Sequence, residues 1–148
     1  IDDGYVRTGD IGQLEGETLR IIGRIKHTFK LAQGEFVCPD RLQEIFLQSP
    51  LVDQIYIHAD SLKAFLVAIV VPLTNVLEAR MADIKATAGT VPITREQLVL
   101  QDLEAIAKQQ QLAVYEIVRG VLFASEQFSV LNGQMTPSNK INRRYVSQ

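Results

Sequence analysis

The spacing of apolar residues changes period along the chain, and each change marks an element. Residues 1–17 are rich in Gly, Asp and Glu without a sustained apolar period, so they predict loop. Leu19-Arg20-Ile21-Ile22 predicts a short strand ending at Gly23. His27 to Leu31 predicts one side of a ribbon, with Gly34 available for a turn or bulge. Pro39 then opens a helix that places Leu42, Ile45 and Phe46 on one face, and Ser49-Pro50 stops it. Val52 to His58 and Phe65 to Val71 predict two strands joined through Asp60-Ser61-Leu62-Lys63. The second of these is apolar on both faces and belongs at the centre of a sheet.

Beyond the strands the period lengthens. Thr74 is positioned to cap a helix carrying Leu77, Met81 and Ile84, and Gly89 and Pro92 interrupt it. Thr94 with Gln97 forms a capping-box pattern. The helix after it buries Val99, Leu103, Ile106 and Ala107 and runs to about Gln111. Gly120 to Ala124 predicts a third strand, Asn132-Gly133 a turn, and the residues after Lys140 a short terminal helix. The expected fold class is α+β: a small domain with a roughly three-stranded sheet flanked by helices, preceded by a short β-ribbon. The one candidate boundary is Gly23 to Lys26, which divides the chain into residues 1–24 and 25–148.

Composition narrows the function classes. The chain has 148 residues, 47% of them hydrophobic and 22% charged, enough for one core. A net charge of -2 and a pI of about 5.7 argue against general affinity for polyanions, so no nucleic-acid partner is expected. Cys38 is the single cysteine, which excludes an intramolecular disulfide and fits a reducing compartment. The longest apolar run, Phe65 to Val71, is far too short for a transmembrane helix. The chain opens without Met inside a turn-like segment, so the expectation is a piece of a longer protein.

The residues with chemical potential sit in glycine- or proline-containing loops. In Thr8-Gly9-Asp10, glycine lets a turn aim an aspartate whose two oxygens can accept from a ribose diol, although an ordinary surface turn has the same composition. Arg24, in Gly23-Arg24-Ile25-Lys26, carries a planar fork suited to ribose or phosphate oxygens. Lys26 is a candidate hinge residue beside the boundary. In Lys30-Leu31-Ala32-Gln33-Gly34-Glu35, Gly34 would let backbone approach a thin ligand and Lys30 would bring charge to a phosphate; a bulged hairpin with a charged rim fits the same residues. Lys140 follows Thr136-Pro137-Ser138-Asn139, with a basic tail behind it. His27 and His58 lack partners at metal-ligand spacing, so no metal site is expected within the chain. There is neither a phosphate loop with a following Lys-Ser/Thr nor a dinucleotide fingerprint.

Taken in order, these segments resemble the C-terminal part of the adenylate-forming superfamily, which includes acyl- and aryl-CoA synthetases, nonribosomal-peptide adenylation domains and firefly luciferase. Gly4-Tyr5 through Thr8-Gly9-Asp10 resembles the late motif of the large N-terminal domain whose aspartate binds the ribose hydroxyls. Gly23-Arg24-Ile25-Lys26 resembles the crossover into the small mobile domain, with Arg24 at the ribose and Lys26 at the hinge. Residues Lys30 to Val37 are similar to long-chain acyl-CoA synthetases and to the adenylation domain of carboxylic acid reductases, whereas Lys26 suits the synthetases better. Thr136-Pro137-Ser138-Asn139-Lys140 resembles the final motif with its adenylation lysine.

The resemblance implies an ATP-dependent ligase working in two halves. A carboxylate attacks the α-phosphate of ATP to give acyl-AMP and pyrophosphate, and a thiol then attacks the acyl-AMP to give a thioester. It implies catalytic roles for Lys140 in the first half and Lys30 in the second. Asp10 and Arg24 would bind the nucleotide, and Gln33, Gly34 and Glu35 would flank a pantetheine channel. ATP, magnesium and CoA or a phosphopantetheine thiol would be the cofactors and substrates. The partners would be the protein's own N-terminal adenylation domain, a carboxylic acid of the fatty class and CoA or a carrier protein. A cytoplasmic location is implied, peripheral to a membrane for a long-chain substrate. The chain alone is expected to be inactive. Two other readings stand beside the CoA ligase: the adenylation domain of a carboxylic acid reductase or carrier-loading ligase, and, from a different class, a non-catalytic ligand-binding or docking module. The sequence upstream and downstream of the chain discriminates them.

Overall fold

The computed structural model describes residues 4–88, 93–138 and 140–146. Its centre is a three-stranded sheet of β5 (Val52–Ala59), β6 (Leu66–Pro72) and β7 (Val118–Phe123), in that spatial order. β6 runs antiparallel to β5 and parallel to β7, with register pairs such as Ile57↔Ala68 and Ile69↔Leu122. Its apolar sequence thus takes the central place that two-sided burial requires. A parallel pair needs a long crossover, and α2 (Thr74–Ala88) and α3 (Arg95–Gln109) lie within it. Thr94 caps α3 as its sequence predicts: its side chain accepts from the Gln97 amide and Gln97 reaches back to the Thr94 amide.

Alternation along the strands builds two apolar layers. Ile55 and Ile57 on β5, and Leu66, Ala68 and Val70 on β6, face α1 (Pro39–Phe46) and α3, burying Leu42, Phe46, Val99, Leu103 and Ala107 with them. Fully burying such side chains stabilises by about 1.5–3 kcal/mol each. Tyr56 and Val71 face the other way and are covered by Phe128, Met135 and Ile141 from the C-terminal segment. The short α4 (Arg143–Val146) follows. No helix among the described residues is long and apolar enough to cross a membrane.

Two small ribbons precede the sheet. β1 (Asp10–Glu15) pairs antiparallel with β2 (Thr18–Arg24), and β3 (Phe29–Lys30) with β4 (Phe36–Val37). β1 corrects the expectation of loop through residue 17. Its pairing breaks register between Ile11 and Gly12, and most of its residues are exposed on both faces, so no two-residue hydrophobic alternation marks it. Elsewhere the differences are local. Thr74 begins α2 rather than capping it from outside. α3 ends at Gln109, before Gln111 with its positive φ of 53°, and β7 starts at Val118 rather than Gly120. Gly89 and Pro92, expected to interrupt a helix, lie outside the described residues.

Candidate functional site

The first ribbon delivers two of the expected nucleotide-binding residues to one point. Asp10 and Arg24 are directly opposed in the β1–β2 register, and Arg24 Nε lies 3.0 Å from Asp10 Oδ1. Thr8 supports the approach through its hydroxyl, which accepts the Asp10 amide at 3.2 Å. A Cβ at position 23 would stand 2.4 Å from the Sγ of Cys38 and force it to shift, so the end of β2 presses directly on the residue preceding α1. Past Arg24 the chain makes a one-turn 3-10 segment, Ile25–His27, closed when the Thr28 hydroxyl donates to the Arg24 carbonyl at 2.9 Å. Lys26 is exposed in the middle of that turn.

Lys140 reaches the same place from the other end of the sequence. It sits on a tight hairpin held by the Met135–Ile141 bridge and by the Thr136 amide donating to the Lys140 carbonyl at 2.8 Å. The Lys140 amide donates in turn to the Thr136 hydroxyl at 3.2 Å. Its ammonium makes no hydrogen bond or ion pair with any described residue. Asp10, Arg24 and Lys140 line one open cleft of about 820 Å³, together with side chains from α1 and β5. The walls supply carboxylate, guanidinium and ammonium groups to one volume, the donor and acceptor set that a nucleotide with its ribose and phosphates requires.

Lys30, Gln33, Gly34 and Glu35 do not line that cleft. Lys30 ends β3 and the other three lie in the turn between β3 and β4, where the Leu31 amide donates to the Glu35 carbonyl at 2.8 Å and the Gly34 amide to the Leu31 carbonyl at 2.9 Å. Gly34 has φ of 95°, a conformation that L side chains rarely adopt. The turn is braced by the tip of the β5–β6 hairpin: the Ala32 amide donates to the Lys63 carbonyl at 3.1 Å and the Gln33 side chain to the Ala64 carbonyl at 3.4 Å. Gln33 and Glu35 border a separate hollow of about 300 Å³ with Phe65, Tyr115 and Arg119. Lys30 places its ammonium 5.7 Å from the Phe36 ring centroid.

The chain as a whole has relatives among known proteins. Over 146 residues the chain is 43% identical to human long-chain-fatty-acid–CoA ligase 6, an alignment covering 95% of this chain and 21% of the ligase. The adenylation domain of the carboxylate reductase of Mycobacterium chelonae superposes with a TM-score of 0.82 at 33% identity, over 99% of this chain and 22% of that one. The corresponding domain from Segniliparus rugosus, solved in complex with AMP and a co-purified carboxylic acid, gives 0.82 at 29% identity, again over 99% and 22%. This chain belongs to the adenylate-forming superfamily. It spans about a fifth of the length of the curated relatives it matches. No protein-family model matches it.

Three cleft residues of this superfamily member escaped the sequence reading. Asp40, in the first turn of α1, receives Nδ1 of His27 at 2.6 Å on Oδ2 and a guanidinium nitrogen of Arg143 on Oδ1. Burial raises the Asp40 pKa, but the hydrogen bonds and charges of His27 and Arg143 outweigh it and hold the carboxyl below its ordinary value. Arg143 also lies over the rings of Phe29 and Tyr56, at 5.4 and 5.7 Å from their centroids. Asp40 and Arg143 are 103 residues apart, and no spacing rule joins them. The signal within reach was narrower: an acidic residue directly after the Pro39 that starts a helix.

Proposed function

We propose that the full-length protein is an AMP-forming acyl-CoA ligase and that this chain supplies the end of its large domain, residues 1–24, and its mobile small domain, residues 25–148. The observation that carries the reading is the single cleft shared by Asp10, Arg24 and Lys140, from which Lys30 and the Gln33–Glu35 turn are excluded.

In the first half-reaction a carboxylate oxygen of a fatty acid bonds to the α-phosphorus of ATP. The bond to the bridging oxygen breaks and pyrophosphate leaves. Asp10 accepts from the ribose hydroxyls and Arg24, held beside it, donates to ribose oxygens. The Lys140 ammonium lies against the α-phosphate and offsets the negative charge gathered when two anions meet. A preorganised donor of this kind contributes about 10²–10³ in rate. In the second half the thiol of CoA loses its proton, its sulfur bonds to the acyl carbon and AMP departs. Rotation at Lys26 exchanges one face of the small domain for the other, removing Lys140 and bringing Lys30 to the AMP phosphate with Gly34 beside the pantetheine arm. Magnesium belongs with the pyrophosphate. Its protein ligands would come mainly from the large N-terminal domain.

The test is the full-length protein with pyrophosphate release and thioester formation from supplied acyl-AMP measured separately. Lys140→Ala is expected to lose the first and keep the second, and Lys30→Ala the reverse; equal losses in both halves for both variants would sink the alternation. The close superposition on reductase adenylation domains favours a second acceptor, a phosphopantetheine-bearing carrier protein. Thioester formation on CoA but not on a carrier decides for the ligase.

A further inference from the structure

Asp40 has no part in the scheme above, yet it joins two elements that the scheme requires to act together. Its Oδ2 holds His27, the last residue of the 3-10 turn that contains Lys26. Its Oδ1 holds Arg143, three residues beyond Lys140. The Arg143 side chain is 20% exposed and sandwiched against Phe29 and Tyr56, so it is fixed by packing as well as by charge. The other end of the lysine hairpin is fixed differently. The Gln54 side chain on β5 accepts the Phe128 amide at 2.7 Å and donates to the Phe128 carbonyl at 3.1 Å. The Asn142 amide, donating to the Gln134 carbonyl at 2.8 Å, closes the base. Lys140 thus rides on a loop pinned by Gln54 before it and by Asp40 after it. These attachments of the loop set the direction from which the Lys140 charge is presented to the cleft.

We propose that Asp40 and Arg143 are positioning residues for Lys140, and that Asp40 makes the Lys26 turn and the lysine hairpin move as one body. The proposal rests on the adenylation role given to Lys140. Its physical basis is the pairing of charged groups through short, directional hydrogen bonds at a half-buried carboxylate, where screening by salt is reduced. A rotation that begins at Lys26 is transmitted through His27 to α1 and from there to the residues flanking Lys140, with no independent slack in the hairpin.

The full-length protein decides it, with Asp40→Ala, Asp40→Asn, Arg143→Ala, Arg143→Lys and the Asp40→Ala/Arg143→Ala double variant assayed beside Lys140→Ala. Displacing a catalytic group by about 1 Å costs about 10²-fold, so Asp40→Ala and Arg143→Ala should lower kcat for pyrophosphate release about tenfold to hundredfold. KM for ATP and the rate of thioester formation from supplied acyl-AMP should stay within about twofold of the parent protein. Arg143→Lys, which keeps the charge, should recover part of the loss. The double variant should be no worse than the more impaired single one, because both break the same clasp. A merely structural role would lower the two half-reactions together, and that result, or additive losses, overturns the proposal. Asp40→Asn and Arg143→Lys carry the test should the alanine variants fail to fold. Wild-type adenylation in the Asp40 and Arg143 variants, with Lys140→Ala inactive, overturns the positioning role alone. Full adenylation by Lys140→Ala overturns both readings.

Discussion

Lys140 and Lys30 are both exposed lysines at short hairpins, and their surroundings differ in every other respect. Lys140 stands at a wide cleft whose remaining charges are largely paired with one another, Asp10 with Arg24 and Asp40 with His27 and Arg143. Its own ammonium is left without a partner among the described residues. Lys30 lies instead over the Phe36 ring, beside a glycine whose backbone is fixed in a left-handed conformation. The proposed nucleotide cleft draws its free charge from a hairpin pinned at two distant points. The β3–β4 turn is held by its own amides around a positive-φ glycine, the shape proposed above to let a narrow ligand pass close to the chain. The difference teaches that a lysine's role is set by what neutralises its neighbours, not by its own exposure.

The comparison can be broken most decisively at Lys140. Lys140→Ala in the full-length protein is expected to slow pyrophosphate release by about 10²–10³ while sparing thioester formation from supplied acyl-AMP. Gly34→Leu should invert that result. The side chain must enter a positive-φ position at a cost of about 1–2 kcal/mol and would project into the proposed path of the thiol, so thioester formation should fall by more than tenfold with adenylation nearly intact. Arg24→Ala removes the partner of Asp10 and one donor to the ribose. Hydrogen bonds to charged groups contribute about 1.5–3 kcal/mol, so KM for ATP should rise about tenfold or more, with little change in the second half-reaction.

The smallest effect concerns pH. The folded-state pKa of Asp40 is lowered, so its stabilising contribution is present above the ordinary value of 3.8 and is lost as pH falls through the depressed folded value. Asp40→Asn lacks that contribution at every pH. The melting-temperature difference between parent and Asp40→Asn should therefore be constant at neutral pH and shrink on acidification below about pH 4. A difference that grows in acid would contradict the clasp.

Much of the fold was legible because burial and period agree. Leu42 and Phe46 mark one face of α1, β6 is apolar on both faces as a central strand must be, and Thr94 with Gln97 states where α3 begins. β1 was illegible because exposed ribbons need no alternation: Gln13, Leu14 and Glu15 are all exposed. At the site, Asp10, Arg24 and Lys140 could be singled out through their loop motifs, and the cross-strand register of Asp10 with Arg24 explains why the first two belong together. The attachment of the lysine hairpin could not be read in the same way. Gln54 and Phe128 are 74 residues apart and Asp40 and Arg143 are 103 apart, and their pairing arises only after the sheet has brought both ends of the chain to one side.

The brace beneath the β3–β4 turn has a consequence for protein engineering. Residues 60–65 form an exposed connection with Leu62 82% accessible, the kind of surface loop usually chosen for an epitope tag, a fluorophore or an inserted domain. Two of its carbonyls, those of Lys63 and Ala64, are occupied in holding Ala32 and Gln33. An insertion there would leave the core untouched and still release the neighbouring turn. Its tolerance is limited by the backbone groups it lends to another loop, and the safer place for a graft is a tip whose carbonyls serve only water.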